Sequence, residues 1–111
     1  MAELRTSEVE DFLQVLAAID DVDDIYALLQ DLFTIREIKD ISQRLVVAQL
    51  LHEGKAYTAI ESQTGASATT IARVSRALHY GAGGYQLALE ILGEDSTEDA
   101  STSCEDNSQG L

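Results

Sequence analysis

The chain has no proline and no tryptophan, only four tyrosines and two phenylalanines, and a single cysteine. With no proline present, nothing of that kind interrupts a helix. Leu, Ile, Val and Ala recur at spacings of three and four, so the expected fold class is all-α. The lone Cys104 excludes an intramolecular disulfide framework and a Cys-rich zinc site. Long apolar runs are also missing: none approaches the roughly 20 residues that span a bilayer. Acidic residues begin at Glu3, and no signal-like apolar stretch follows them. The expectation is a cytoplasmic protein without a membrane partner. A chain of 111 residues makes one domain or one subunit of an intertwined oligomer. At this size only about two-thirds of the unfolded surface is buried, which favours association.

Cations are scarce as well. Seven Lys and Arg face 20 Asp and Glu, for a formal charge of −13. That balance opposes binding to nucleic acid, because phosphate contacts require local positive potential. The acids are not spread evenly, however. Residues 1–31 carry a net −8 and residues 93–111 a net −6, while residues 32–92 carry a net +1. The deficit therefore lies in the two ends.

Six helices are expected. Ser7-Glu-Val-Glu10 reads as a capping box, followed by an apolar stripe of Val9, Phe12, Leu13, Leu16 and Ile19. Asp21 is placed to cap a second helix, whose buried face would be Ile25, Leu28, Leu29, Leu32 and Phe33. Asp23 and Asp24 then suit the positive end of its dipole. Thr34-Ile-Arg-Glu37 is a further capping box, opening the longest helix, which ends near Gly54. A short helix at about 57–63 and another from Ser67 to about His79 come next. Gly81-Ala-Gly-Gly84 is a connector to a last apolar helix containing Tyr85, Leu89 and Leu92. From Gly93 the composition becomes polar and acidic, so residues 93–111 are expected to form a disordered tail, leaving 1–92 as the helical domain.

Residues 57–79 carry the functional signal. A short helix, Gly65 at a tight turn, and a second helix that starts with small polar residues together form the pattern of a helix-turn-helix, whose second helix enters the major groove of DNA. Ile60, Ala66, Ile71 and Val74 fall where such a motif needs apolar residues to lock its helices. The candidate DNA-contacting residues are then Ser67, Ala68, Thr69, Thr70, Ala72 and Arg73. Short side chains let the helix approach closely, hydroxyls can bond bases or phosphates, and methyls can meet a thymine methyl. Arg73 suits guanine or phosphate, while Lys55, Tyr57 and Arg76 flank the surface as backbone contacts.

Other chemistries find no support. His52 and His79 stand on different expected helices without ligand spacing, and the Asp cluster at 20–24 is explained by turn and cap roles. Gly-rich phosphate loops, Gly-x-Ser-x-Gly and His-Glu-x-x-His are all absent. The sequence calls for no enzyme activity, metal or cofactor.

With these residues in view, the chain resembles the Trp repressor superfamily and, within it, the YerC/YecD subgroup. Three segments carry the likeness: Asp40-Ile-Ser-Gln-Arg-Leu-Val-Val-Ala-Gln-Leu-Leu-His-Glu-Gly-Lys55, Thr64-Gly-Ala-Ser-Ala-Thr-Thr-Ile-Ala-Arg-Val-Ser-Arg-Ala-Leu-His-Tyr-Gly81, and Gly84-Tyr-Gln-Leu87. The resemblance implies a six-helix, all-α subunit in an intertwined homodimer, with double-stranded DNA as partner and repression as the default role. Two-fold symmetry would match a pseudo-palindromic site.

Departures from the family pattern narrow the ligand. Trp repressor itself holds tryptophan between two arginines, beneath a glycine of the reading helix. Arg73 matches one arginine, whereas Gln43 is aligned with the other and Val74 replaces the glycine. Tryptophan is therefore not expected to be the effector, and no other small molecule is indicated. Glu61 stands where the repressor has a DNA-contacting lysine. Two alternatives stay open: a protein-interaction module built on a helix-turn-helix scaffold without DNA binding, and an acidic tail that folds over the reading heads.

Overall fold

A computed structural model describes residues 5–102, with side-chain packing over 5–93. The elements in this range are all helices: α1 Ser7–Ala18, α2 Val22–Leu32, α3 Ile35–His52, α4 Tyr57–Thr64, α5 Ala68–Tyr80 and α6 Gly84–Thr102. The all-α expectation holds. Helix α6 continues through Gly93 to Thr102, whereas the sequence predicts disorder from Gly93 onward. One glycine inside a helix costs only about 1 kcal/mol, and no proline follows to stop the helix. The remainder of the expected tail, 103–111, lies outside the described residues.

The chain divides into two compact units, Met1–Asp40 and Ile41–Leu111, with the division inside α3. In the first unit the caps set the helix starts. Thr6, one residue ahead of the expected Ser7, is the N-cap of α1, and its hydroxyl accepts from the Val9 amide at 3.3 Å. Threonine ranks somewhat below serine in this role but is still among the favoured caps. Glu10, expected to close a box on Ser7, instead takes Arg5 at 2.7 Å. That hydrogen bond, together with the charge behind it, holds the Glu10 carboxyl below its ordinary value. Asp21 caps α2 as expected, accepting from the Asp23 amide at 3.2 Å. The Thr34–Glu37 box forms in both directions: the Glu37 amide donates to the Thr34 hydroxyl at 3.1 Å, and the Thr34 amide donates to the Glu37 carboxylate at 2.9 Å.

The apolar stripes of α1 and α2 are present but uncovered. No residue of either helix is buried. Phe12, Leu16, Ile25, Leu28 and Phe33 are only half-buried, and Val22 and Leu32 are 78% and 52% exposed.

The second unit holds the core. Val47, Ala48 and Leu50 of α3, Ile60 of α4, Ala66 of the turn, and Ile71 and Val74 of α5 form one buried cluster, against which Leu51 and Tyr85 pack. Two glycines shape its connections for opposite reasons. Gly65, at φ +79°, takes the left-handed conformation after α4, and a Cβ there would meet nothing within 4 Å. Gly65→Ala should therefore cost only the backbone strain, about 1–2 kcal/mol, read as a lower urea midpoint; an unchanged midpoint would refute the assignment. At Gly81 the conformation is ordinary, but a Cβ would collide with the Ala77 carbonyl.

Candidate nucleic-acid interface

The turn between α4 and α5 is held from three sides. The Thr64 hydroxyl donates to the Ile60 carbonyl at 2.7 Å and accepts from the Ala66 amide at 3.1 Å. The Gly65 amide closes α4 on the Glu61 carbonyl at 2.9 Å. From α3, the Gln43 side-chain amide donates to the Thr64 carbonyl at 3.1 Å. The four lock residues expected from sequence are all buried: Ile60 and Ile71 at 0% exposure, Val74 at 2% and Ala66 at 4%. Helices α4 and α5 thus form a helix-turn-helix fixed on the C-terminal part of α3.

Ser67 caps α5 as predicted. Its hydroxyl accepts from the Thr70 amide and bonds the Thr70 hydroxyl, both at 3.1 Å. Ser67 and Thr70, both candidate DNA contacts, therefore have their hydroxyls engaged in the cap, and Thr70 is half-buried. The remaining candidates on α5, Ala68, Thr69, Ala72, Arg73 and Arg76, are exposed. They fall on the face opposite the buried line Ile71, Val74 and Leu78, as a 3.6-residue period requires. Ala72 and Arg76 line one shallow recess with Ser75, His79 and Tyr80. Lys55 and Tyr57 are exposed at the entry to α4.

Arg73 lines a different recess, with Arg44, Thr70, Val74, Ala77 and Tyr85. Arg44 lines this recess beside Arg73, while Gln43, aligned with the second arginine of Trp repressor, has its side chain turned to the Thr64 carbonyl. The spacing of α3 contains the signal: Gln43 lies one turn before the fully buried Val47, so it belongs to the inner face, and the outward arginine is its neighbour. Two arginines, Arg44 and Arg73, thus line this recess, with Val74 and Tyr85 on its wall.

Tyr80, 86% exposed at the end of α5, was not singled out by the sequence pattern. His79 Nδ1 is bonded to the Ser75 carbonyl at 2.8 Å. His52 and His79, far apart in sequence, line one recess with Gln86 and Glu90. Among the described residues no group of His, Cys, Asp or Glu is arranged to hold a metal ion.

Comparison with known proteins agrees with this geometry. Residues 7–92 match the family described as Trp repressor protein. The uncharacterised protein YerC of Bacillus subtilis (strain 168) is 42% identical over 98 residues, which cover 88% of this chain and 94% of YerC. The crystal structure of a TrpR-like protein from Eubacterium eligens superposes with a TM-score of 0.79 at 42% identity, covering 84% of this chain and 96% of that one. A Trp-repressor candidate from Staphylococcus aureus gives a TM-score of 0.78 at 33% identity, covering 83% and 92% of the two chains. The locked helix-turn-helix, the six-helix order and these likenesses lead to one assignment: the chain belongs to the Trp repressor family and is YerC-like within it.

Proposed function

We propose that this protein is a cytoplasmic, sequence-specific DNA-binding transcriptional regulator, a repressor that acts as a homodimer and does not use tryptophan as its effector. The observation that carries the reading is the exposed face of α5. Ala68, Thr69, Ala72, Arg73 and Arg76 stand free on a helix whose opposite face is fully buried, within a family of DNA-binding regulators. No helix among the described residues is long and apolar enough to cross a membrane.

The uncovered stripes of α1 and α2 support the homodimer. An amphipathic helix buries its apolar stripe against another element, and an intertwined partner would supply the missing burial. Two such subunits would present two α5 helices to successive major grooves of a pseudo-palindromic site.

The test is a selection of bound duplexes from genomic DNA at about 100 mM salt, since phosphate contacts weaken steeply with salt. Wild type and Arg73→Ala are run side by side. Recovery of a pseudo-palindromic site by wild type alone is the expected result. The competing reading, a protein-interaction module, is favoured by the −13 charge and by Glu61 on α4. It predicts that neither protein enriches any sequence.

Tryptophan at millimolar concentration should leave the Tm unchanged. Val74 fills the place beneath which an indole would lie, and a ligand stabilises a fold only by what it binds. A rise of several degrees would show that the recess opens.

A further inference from the structure

We infer that, given the DNA reading above, the half-site is recognised mainly through the 5-methyl groups of thymines, packed against Ala68, Ala72 and the methyl of Thr69. The inference follows from what α5 retains once its structural hydrogen bonds are assigned. The Ser67 hydroxyl donates to Thr70 Oγ1 and accepts from the Thr70 amide, Thr70 is half-buried beside it, and Ile71, Val74 and Leu78 are buried. No Asn, Gln, Lys, Asp or Glu occurs between Ala66 and Tyr80, so the side chains that pair bidentately with adenine, or accept from cytosine, are missing. The first two turns expose Ala68, Thr69, Ala72 and Arg73, so three of the four exposed side chains offer a methyl and one offers a guanidinium. Of the two guanidiniums, Arg73 lies in the recess shared with Arg44 and Arg76 lies a turn further along the helix. Arg76 is suited to phosphate and Arg73 to phosphate or a single guanine, which leaves the three methyl-bearing positions as the larger part of the face.

The thymine methyl is the apolar group that the bases present in the major groove. Alanines at the start of the helix allow the backbone to approach closely enough to cover it. Charge points the same way. With seven Lys and Arg in the whole chain, the phosphate term that supplies non-specific affinity is small. Base contacts then make up a larger share of what binding energy there is.

Uracil keeps every hydrogen-bonding group of thymine and lacks only the methyl, so it isolates the contact. Genomic-fragment libraries amplified with dTTP and with dUTP are offered to the full-length protein, and the duplex recovered from the first is then remade with uracil. The expected result is a loss of about fourfold in affinity for each contacted methyl removed. Uracil should also have less effect on Ala72→Gly, whose folding is checked by circular dichroism, and Ala72→Ser replaces it if glycine melts the helix. If the uracil duplex binds as tightly as the thymine duplex while the sequence preference persists, the inference is overturned and the DNA-binding reading stands. If no duplex is enriched from the thymine library, both fall together.

Discussion

Truncation of Ile71 to alanine is expected to cost about 2–5 kcal/mol, the range for removing a fully buried branched side chain. Ile71 is 0% exposed and lies in the cluster formed with Val47, Ala48, Leu50, Ile60, Ala66 and Val74. Helix α4 contributes a single buried residue, Ile60, so little else can collapse into the space that the truncation opens. A domain of this size has about 5–15 kcal/mol in all. The variant should therefore lower the urea midpoint by about 1–3 M at ordinary slopes and lose helicity near physiological temperature. Ile71→Val, which removes one methylene, should cost about 0.5–1.5 kcal/mol. Equilibrium unfolding followed by circular dichroism makes the measurement, and a loss under 1 kcal/mol for the alanine variant would contradict the packing described.

Leu32→Lys tests the homodimer proposed above. In a lone chain this substitution is nearly silent. Leu32 is 52% exposed at the last residue of α2, where a cation suits the helix dipole, in a segment otherwise rich in acids. Exposed substitutions of this sort stay within about 0.5 kcal/mol. If a second copy covers the stripe, the ammonium is carried into an apolar interface and loses its hydration. The expected result is then a sedimentation mass that falls from two chains to one at micromolar concentration. A Tm lower by about ten degrees or more should accompany it, since each kcal/mol moves a domain of this size by about 4–8 degrees. Equal mass and equal Tm for variant and wild type would remove the argument for the dimer.

Helix order and most caps were legible because they depend on local chemistry. Asp21, Thr34 with Glu37, Gly65 and Ser67 each act through backbone groups within a few residues, so spacing alone identifies them. The Ser7 cap shifted to Thr6 because two adjacent hydroxyl residues are both favoured caps, and the sequence does not decide between them. The lock of the reading motif was also legible, since four apolar residues at helical spacing around a glycine have few ways to pack. Arg44 was missed because which of two neighbours on α3 faces outward depends on the rotation of that helix against the α4–α5 turn, and Gln43 resolves this only through a bond across 21 residues of sequence. The engaged hydroxyls of Ser67 and Thr70 were hidden for a similar reason. A list of residue types counts a hydroxyl as available to a ligand, while the cap geometry has already used it.

The separation of duties on α5 bears on how this protein could change over generations. Ile60, Thr64, Gly65, Ala66, Ile71 and Val74 hold the motif, whereas Ala68, Thr69 and Ala72 face solvent and make no side-chain hydrogen bond among the described residues. Substitutions at those three positions alter what is presented to a groove with small consequence for folding, within about 0.5 kcal/mol for most exposed changes. A saturating library at 68, 69 and 72 should keep nearly every member folded and, if α5 reads DNA as proposed, spread them over different duplex sequences. On the proposed DNA-binding reading, relatives that share this scaffold would change the site they recognise by drift at three codons, with the scaffold left as it is.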